Sequence, residues 1–211
     1  MYYALIDNCF FALFGTGIYC AVRSIFLCIR HKKRLPIHWL AETVQLFFVF
    51  YIVFVVSVTL FPLMFGIDAP MYLDSIRHGI NVIPLISIIR EFGSIGTAYS
   101  GDSLFMIELI LKNVGGNILL FVPLGIIAPI WRGKFQTFRA TVFFGLLVSI
   151  AIETLQFIEI LFGTSIRVAD IDDVICNGAG AALGYLFYKI LIKVVRVFRV
   201  KLSHQSESAS M

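Results

Sequence analysis

The feature that most constrains this chain is a series of five long apolar runs, at about 4–29, 43–61, 113–130, 138–162 and 174–195. Each is near or above the roughly 18 to 20 residues that cross a hydrocarbon core as a helix. The runs are continuous rather than alternating, which argues against the two-residue period of a transmembrane barrel and for helices. Composition agrees: 59% of the 211 residues are hydrophobic, 14% are charged, and the mean hydropathy is +0.92. An ordinary soluble domain carries about 25% charged residues. The expected fold class is all-α: an integral membrane bundle of about five transmembrane helices in the lipid bilayer. A single domain over 1–202 is expected, followed by a polar, disordered tail over 203–211.

Positive residues set the expected orientation. Arg30, Lys32, Lys33 and Arg34 follow the first run, and Arg132, Lys134 and Arg139 lie between the third and fourth. Lys189, Lys193, Arg196, Arg199 and Lys201 close the fifth, so these three regions hold most of the 17 Lys and Arg residues. With five crossings they share one side, which the positive-inside rule makes cytoplasmic, with the N-terminus outside. Arg23 falls inside the first run and is expected to snorkel to the headgroups. The net charge of +4 brings no phosphate loop, zinc-ligand spacing or aromatic-studded basic groove, so nucleic acid is not an expected partner. No metal or cofactor is expected either, and the four cysteines read as small hydrophobes.

The one long connection, about 62–112, falls on the outer side. Residues 81–89 are apolar but too short to cross and are interrupted by Pro84, so they read as a re-entrant or interfacial piece. Asp102 or Ser103 is a candidate helix cap, with Glu108 expected to pair with Lys112. Gly93, Gly96 and Gly101 suggest that this connection acts as a lid.

Polar residues recur near this outer side. Asn117 lies about one turn into the third run, ahead of Pro123, which frees a carbonyl and kinks the helix. Glu153 and Gln156 are three apart on the fourth run and share a face, Glu153 on the order of 13 Å deep. Asp170, Asp172 and Asp173 precede the fifth run, where Asp173 and Asn177 share a face. Gly180 and Gly184, also four apart, allow a neighbouring helix to approach closely, and offer a face through which two copies could pair. Asn117, Glu153, Gln156, Asp170, Asp173 and Asn177 are expected to converge on one outward polar pocket, with Arg167 at its rim. The competing expectation is interhelical hydrogen bonding, at about 0.6 kcal/mol per group. It is weakest for Glu153, because a carboxylate is a costly group to bury in lipid.

Four stretches in order, NVIPL from Asn81, NILLFVPLG from Asn117, IETLQ from Ile152 and RVADIDDVICNGAGAALG from Arg167, resemble the VanZ-like membrane proteins. The resemblance is strongest over about 80–190 and does not reach the first helix. It implies a bacterial cytoplasmic-membrane protein of the cell envelope, in a family named for a member that raises teicoplanin resistance.

Three functions follow as expectations. The first is binding of a lipid-linked or glycopeptide ligand in the outer pocket. The second is an enzyme acting on an envelope lipid, with Glu153 as acid or base and Asp170 with Asp173 around a divalent cation. The third is a small proton-coupled transporter with Glu153 as the proton site. The sequence carries no G-x-S-x-G element, which leaves the enzyme without an evident nucleophile.

Overall fold

The computed structural model describes residues 2–61, 63, 69–165 and 168–208, with side chains described from 10 to 198 in those stretches. Arg167, expected at the pocket rim, lies outside the described residues. Among the described residues, eight α-helices and one short ladder follow each other: α1 (Tyr2–Lys32), α2 (Trp39–Leu60), α3 (Ala69–His78), β1 (Ile80–Asn81) and α4 (Ile86–Gly93). Then come α5 (Ser103–Ile110), α6 (Gly116–Trp131), α7 (Phe138–Leu161), β2 (Ala169–Asp170) and α8 (Ile171–Ser208). The molecule is a helical membrane bundle, as its apolar runs require.

Among the described residues, four helices are long and apolar enough to cross a membrane: Phe10–Lys32, Trp39–Leu60, Ser103–Trp131 and Phe138–Leu161. The fifth expected crossing, in α8, is not among these; α8 packs along α6. At one end of α8, Asp173 accepts a hydrogen bond from Asn117 of α6. Toward the other, the Tyr185 hydroxyl donates to the carbonyl of Gln136, beyond the far end of α6. These 12 residues rise about 18 Å along the bundle, and the helix continues to Ser208, into the polar stretch that begins at Ser203.

Glycine sets the α6–α8 contact. A Cβ on Gly184 would sit 2.1 Å from the Val122 carbonyl oxygen, and one on Gly180 would sit 2.1 Å from that of Ile118. From the other side, a Cβ on Gly125 would meet the Ala181 carbonyl oxygen at 2.2 Å. Backbones therefore touch directly, the arrangement small residues permit between membrane helices. That face is taken within the chain, so Gly180 and Gly184 offer no surface to a second copy. Around it Phe48, Tyr51 and Val55 of α2, Phe121 and Leu124 of α6, Ile152 of α7 and Ala181 of α8 form the buried core. Tyr51 donates to the Leu120 carbonyl at 2.8 Å, in the turn that Pro123 interrupts.

Three local expectations change. Arg23 does not snorkel alone: its guanidinium grips Glu42 of α2 through two hydrogen bonds of 2.8 and 2.7 Å. A forked guanidinium and a carboxylate neutralise each other better at that depth than either does against headgroups. The amphipathic piece at 103–110 is not separate from the third crossing, because a π-helical turn, Leu111–Gly115, joins α5 to α6. That turn breaks the α-helical spacing between Glu108 and Lys112, and no ion pair links them among the described residues. Asp102 does cap α5, accepting from the Phe105 N–H at 3.0 Å.

Gly184→Ala is expected to lower stability by about 1–3 kcal/mol, because the new methyl meets backbone rather than a movable side chain. Gly17→Ala, where nothing lies within 4 Å of the added carbon, serves as the neutral control. Thermal denaturation of the full chain in detergent measures both, and equal melting temperatures would contradict the close α6–α8 contact.

Candidate functional site: a capped polar cavity

The long connection, over its described residues 69–112, folds back onto the end of the bundle where α8 begins. β1 pairs in parallel with β2, Ile80 opposite Ala169 and Asn81 opposite Asp170. The ladder extends by a bond from Ala169 N–H to the Gly79 carbonyl at 2.8 Å. Glu153 of α7 lies beneath, its Oε2 accepting from the Asp170 N–H at 2.8 Å. A short strand buried on a helical bundle leaves backbone donors that need acceptors, and Glu153 supplies one.

Asp170 turns the chain into α8. Its Oδ1 accepts from the Asp172 N–H at 2.8 Å and also from Asn81 Nδ2 at 2.8 Å. Asn81 in turn donates to Ser87 Oγ and accepts from the Ile83 N–H. Asp172, only 2% exposed, reaches away from its own helix to the start of α4. Its carboxylate accepts from the N–H groups of Leu85, Ser87 at 3.0 Å and Ile88 at 3.2 Å. Leu85 is the residue before α4, has no side-chain cap of its own and adopts φ 65°. A helix start leaves unpaired N–H groups and attracts negative charge. Asp172 therefore caps α4 across the chain and holds Leu85 in a left-handed conformation that leucine disfavours.

Beside this clasp lies a cavity of about 920 Å³ between α2, α6, α7, α8 and the long connection. Asn117, Gln156, Asp170 and Asp173 line it. Asn117 Nδ2 donates to Asp173 Oδ1 at 2.5 Å. Gln156, 7% exposed, donates through Nε2 to the Thr59 carbonyl at 3.0 Å, while its Oε1 is buried without a partner. Arg77, Arg90 and Lys112 complete the mouth with exposed side chains.

Two expected members stand elsewhere. Glu153 lines a smaller, mainly apolar cavity of about 260 Å³, which shares Ile80, Asn81 and Asp170 with the larger one. Asn177, 2% exposed, is packed between helices and donates to Ser149 Oγ of α7 at 2.8 Å. It has the interhelical role that was the competing expectation. Among the described residues no three His, Cys, Asp or Glu side chains are grouped to hold a metal ion. His78 pairs with Asp74 at 3.0 Å on the exposed face of α3.

Sequence reasoning did not assign Asn81, Ser87 or the capping role of Asp172. The NVIPL stretch held the signal for Asn81. Nothing in local spacing points Asp172 at residues 85 positions away. Asp172→Ala is expected to release α4: amide exchange over 85–93 should rise roughly ten- to a hundredfold, the loss of about 1.5–3 kcal/mol for hydrogen bonds to a charged acceptor. Unchanged exchange in that segment would show that the cap does not hold the connection down.

A sequence model of the family described as VanZ/LLP1 matches residues 48–193, well over half of the chain. The match begins within α2 and ends within α8, so it takes in the clasp, the cavity and the α6–α8 contact while leaving out α1. No curated protein and no solved structure gives a match. With the fold, the four stretches and this match in agreement, the chain belongs to the VanZ/LLP1 family.

Proposed function

We propose that this protein is a bacterial cell-envelope membrane protein that receives the polar head of a lipid-linked ligand in its capped cavity. The observation that carries the reading is Gln156, which lines the cavity with Asp173 and whose buried carbonyl oxygen has no donor among the described residues. A buried acceptor left unpaired costs about 1–3 kcal/mol, and a ligand donor would recover it.

Charge supports an outward opening. The cluster-bearing end of the bundle is opposite the end that carries Arg132 and Lys134, and the basic stretch of α8 runs on beyond Tyr185 toward that same far end. The positive-inside rule assigns that far end to the cytoplasm, with the N-terminus outside and α8 as the fifth crossing.

Size favours one ligand class over another. A cavity of about 920 Å³ is within the range of roughly 300–1,000 Å³ that holds drug-sized molecules. A polar head group fits such a space, whereas a lipoglycopeptide is several times larger and could insert only a part of itself. A contribution to teicoplanin resistance would then act through the lipid-linked ligand rather than by enclosing the antibiotic.

The test uses the full chain in nanodiscs, with a radiolabelled lipid-linked peptidoglycan precursor and with teicoplanin. The precursor is expected to bind saturably, with affinity at least tenfold weaker in Asp173→Ala, and teicoplanin is not expected to compete as an enclosed ligand. Wild-type protein indifferent to the precursor, or binding untouched by the substitution, would remove the reading. Teicoplanin susceptibility of cells with and without the chain separates resistance from a general envelope role.

A further inference from the structure

The charges around the large cavity are sorted by depth. At its floor stand acceptors. Gln156 has its Nε2 fixed by the Thr59 carbonyl, so exchanging the amide ends would set oxygen against oxygen, and Oε1 must face the donor-poor side. Asp173 gives one oxygen to Asn117, and among the described residues the other has no partner. At the mouth stand donors: Arg77, Arg90 and Lys112 line the cavity, are exposed, and form no ion pair among the described residues. Glu91, also at the mouth, is engaged by Asn113 Nδ2 at 2.9 Å.

A simple anion would satisfy the mouth but bring negative charge toward Asp173 and leave Gln156 Oε1 unpaired. A simple cation would satisfy the floor and leave the mouth unmatched. A quaternary ammonium has charge for Asp173 but no N–H for Gln156. Two guanidinium groups and an ammonium at the mouth suit the several oxygens of a phosphate. We infer that the cavity recognises an amino-phosphate zwitterion, entering with a primary ammonium toward Asp173 and Gln156 and its phosphate held by Arg77, Arg90 and Lys112. This rests on the reading of the cavity as a binding site and adds the chemistry of the bound head.

Two sources offer that chemistry, a phospholipid head group and a free head-group ester, and the experiment distinguishes them. The full chain is placed in nanodiscs of phosphatidylglycerol, which has no amine. Titration calorimetry then compares glycerophosphoethanolamine, glycerophosphocholine, glycerol 3-phosphate and ethanolamine. The primary amino-phosphate is expected to bind at least tenfold more tightly than each of the other three. Gln156→Leu and Asp173→Asn are expected to erase its advantage over glycerophosphocholine, and Arg90→Gln to weaken both phosphodiesters alike.

Gln156→Met is the second variant should the leucine chain fail to fold, judged by its melting temperature. In a parallel arm, native mass spectrometry of protein released from phosphatidylethanolamine-containing nanodiscs reads lipid retention. Retained phosphatidylethanolamine assigns the lipid as the source; binding of the soluble ester without retention assigns the free head group. Equal affinity for the amino and choline esters, equal affinity for the amino ester and glycerol phosphate, or no binding of any probe each overturns the proposal. The precursor-binding assay stays separate, so a cavity that takes the precursor without amine dependence refutes this inference alone.

Discussion

Backbone contact between α6 and α8 fixes where every other group can stand. With Gly125, Gly180 and Gly184 lacking side chains, the two helices lie close enough for carbonyl oxygens to occupy the space a Cβ would take. That distance brings Asn117 within reach of Asp173 and sets the register of the two helices. In a membrane the drive for this contact is close packing rather than water exclusion, since lipid is as apolar as the side chains it would replace. The polar end of the bundle follows from an apolar contact deeper down.

Four carboxylates gather at that end, and the structure gives them different work. Asp172 is committed to the α4 N-terminus, Glu153 to the backbone of β2, and Asp170 to Asn81 and to the first turn of α8. Asp172 and Asp170 hold the long connection against the bundle, and Glu153 holds the strand that pairs with it. Asp173 accepts from the Asn117 side chain and, like Asp170, lines the large cavity. A cluster that reads as one acidic patch is therefore three carboxylates that accept backbone N–H groups and one, Asp173, that accepts from a side-chain amide. This division also bears on Glu153, whose depth marked it as the chemical centre. Its oxygen is occupied by a backbone N–H, and it faces the smaller apolar cavity rather than the large one.

Much of this was legible in the chain because it depends on local pattern. Continuous apolar runs demanded helices, Gly180 and Gly184 at one-turn spacing announced a close helix contact, and Asp102 before Ser103 announced a cap. What stayed hidden depends on pairs far apart in sequence. Arg23 and Glu42 are 19 residues apart on two helices, and neither is periodic with anything nearby. Asp172 looks like a first-turn acid of its own helix, and such acids are favourable there, so nothing local shows it serving α4 instead. Asn177 shares a helical face with Asp173, yet one turn of depth moves it from the cavity to the packed contact with Ser149. Spacing states which face a residue is on, but not how deep the neighbouring helix closes over it.

Depth also explains why the cavity persists. A bundle able to bring glycine backbones into contact along α6 and α8 could close on apolar residues at its polar end as well. Instead, among the described residues, the wall there carries an amide with an unpaired buried oxygen, a carboxylate and three cations without an ion pair at the mouth. Closing on these groups would strand them in a medium without water, at several kcal/mol for each unsatisfied group. Keeping the charged groups apart around an open space avoids that cost for them, and the clasp through Asp172 holds the start of α4 beside the space without filling it. Of the departures from local consistency among the described residues, the left-handed Leu85 and the unpartnered Gln156 adjoin this space, while left-handed Arg34, Tyr99 and Ser100 stand in other turns. Departures of that kind concentrate where a structure is shaped for something other than its own stability.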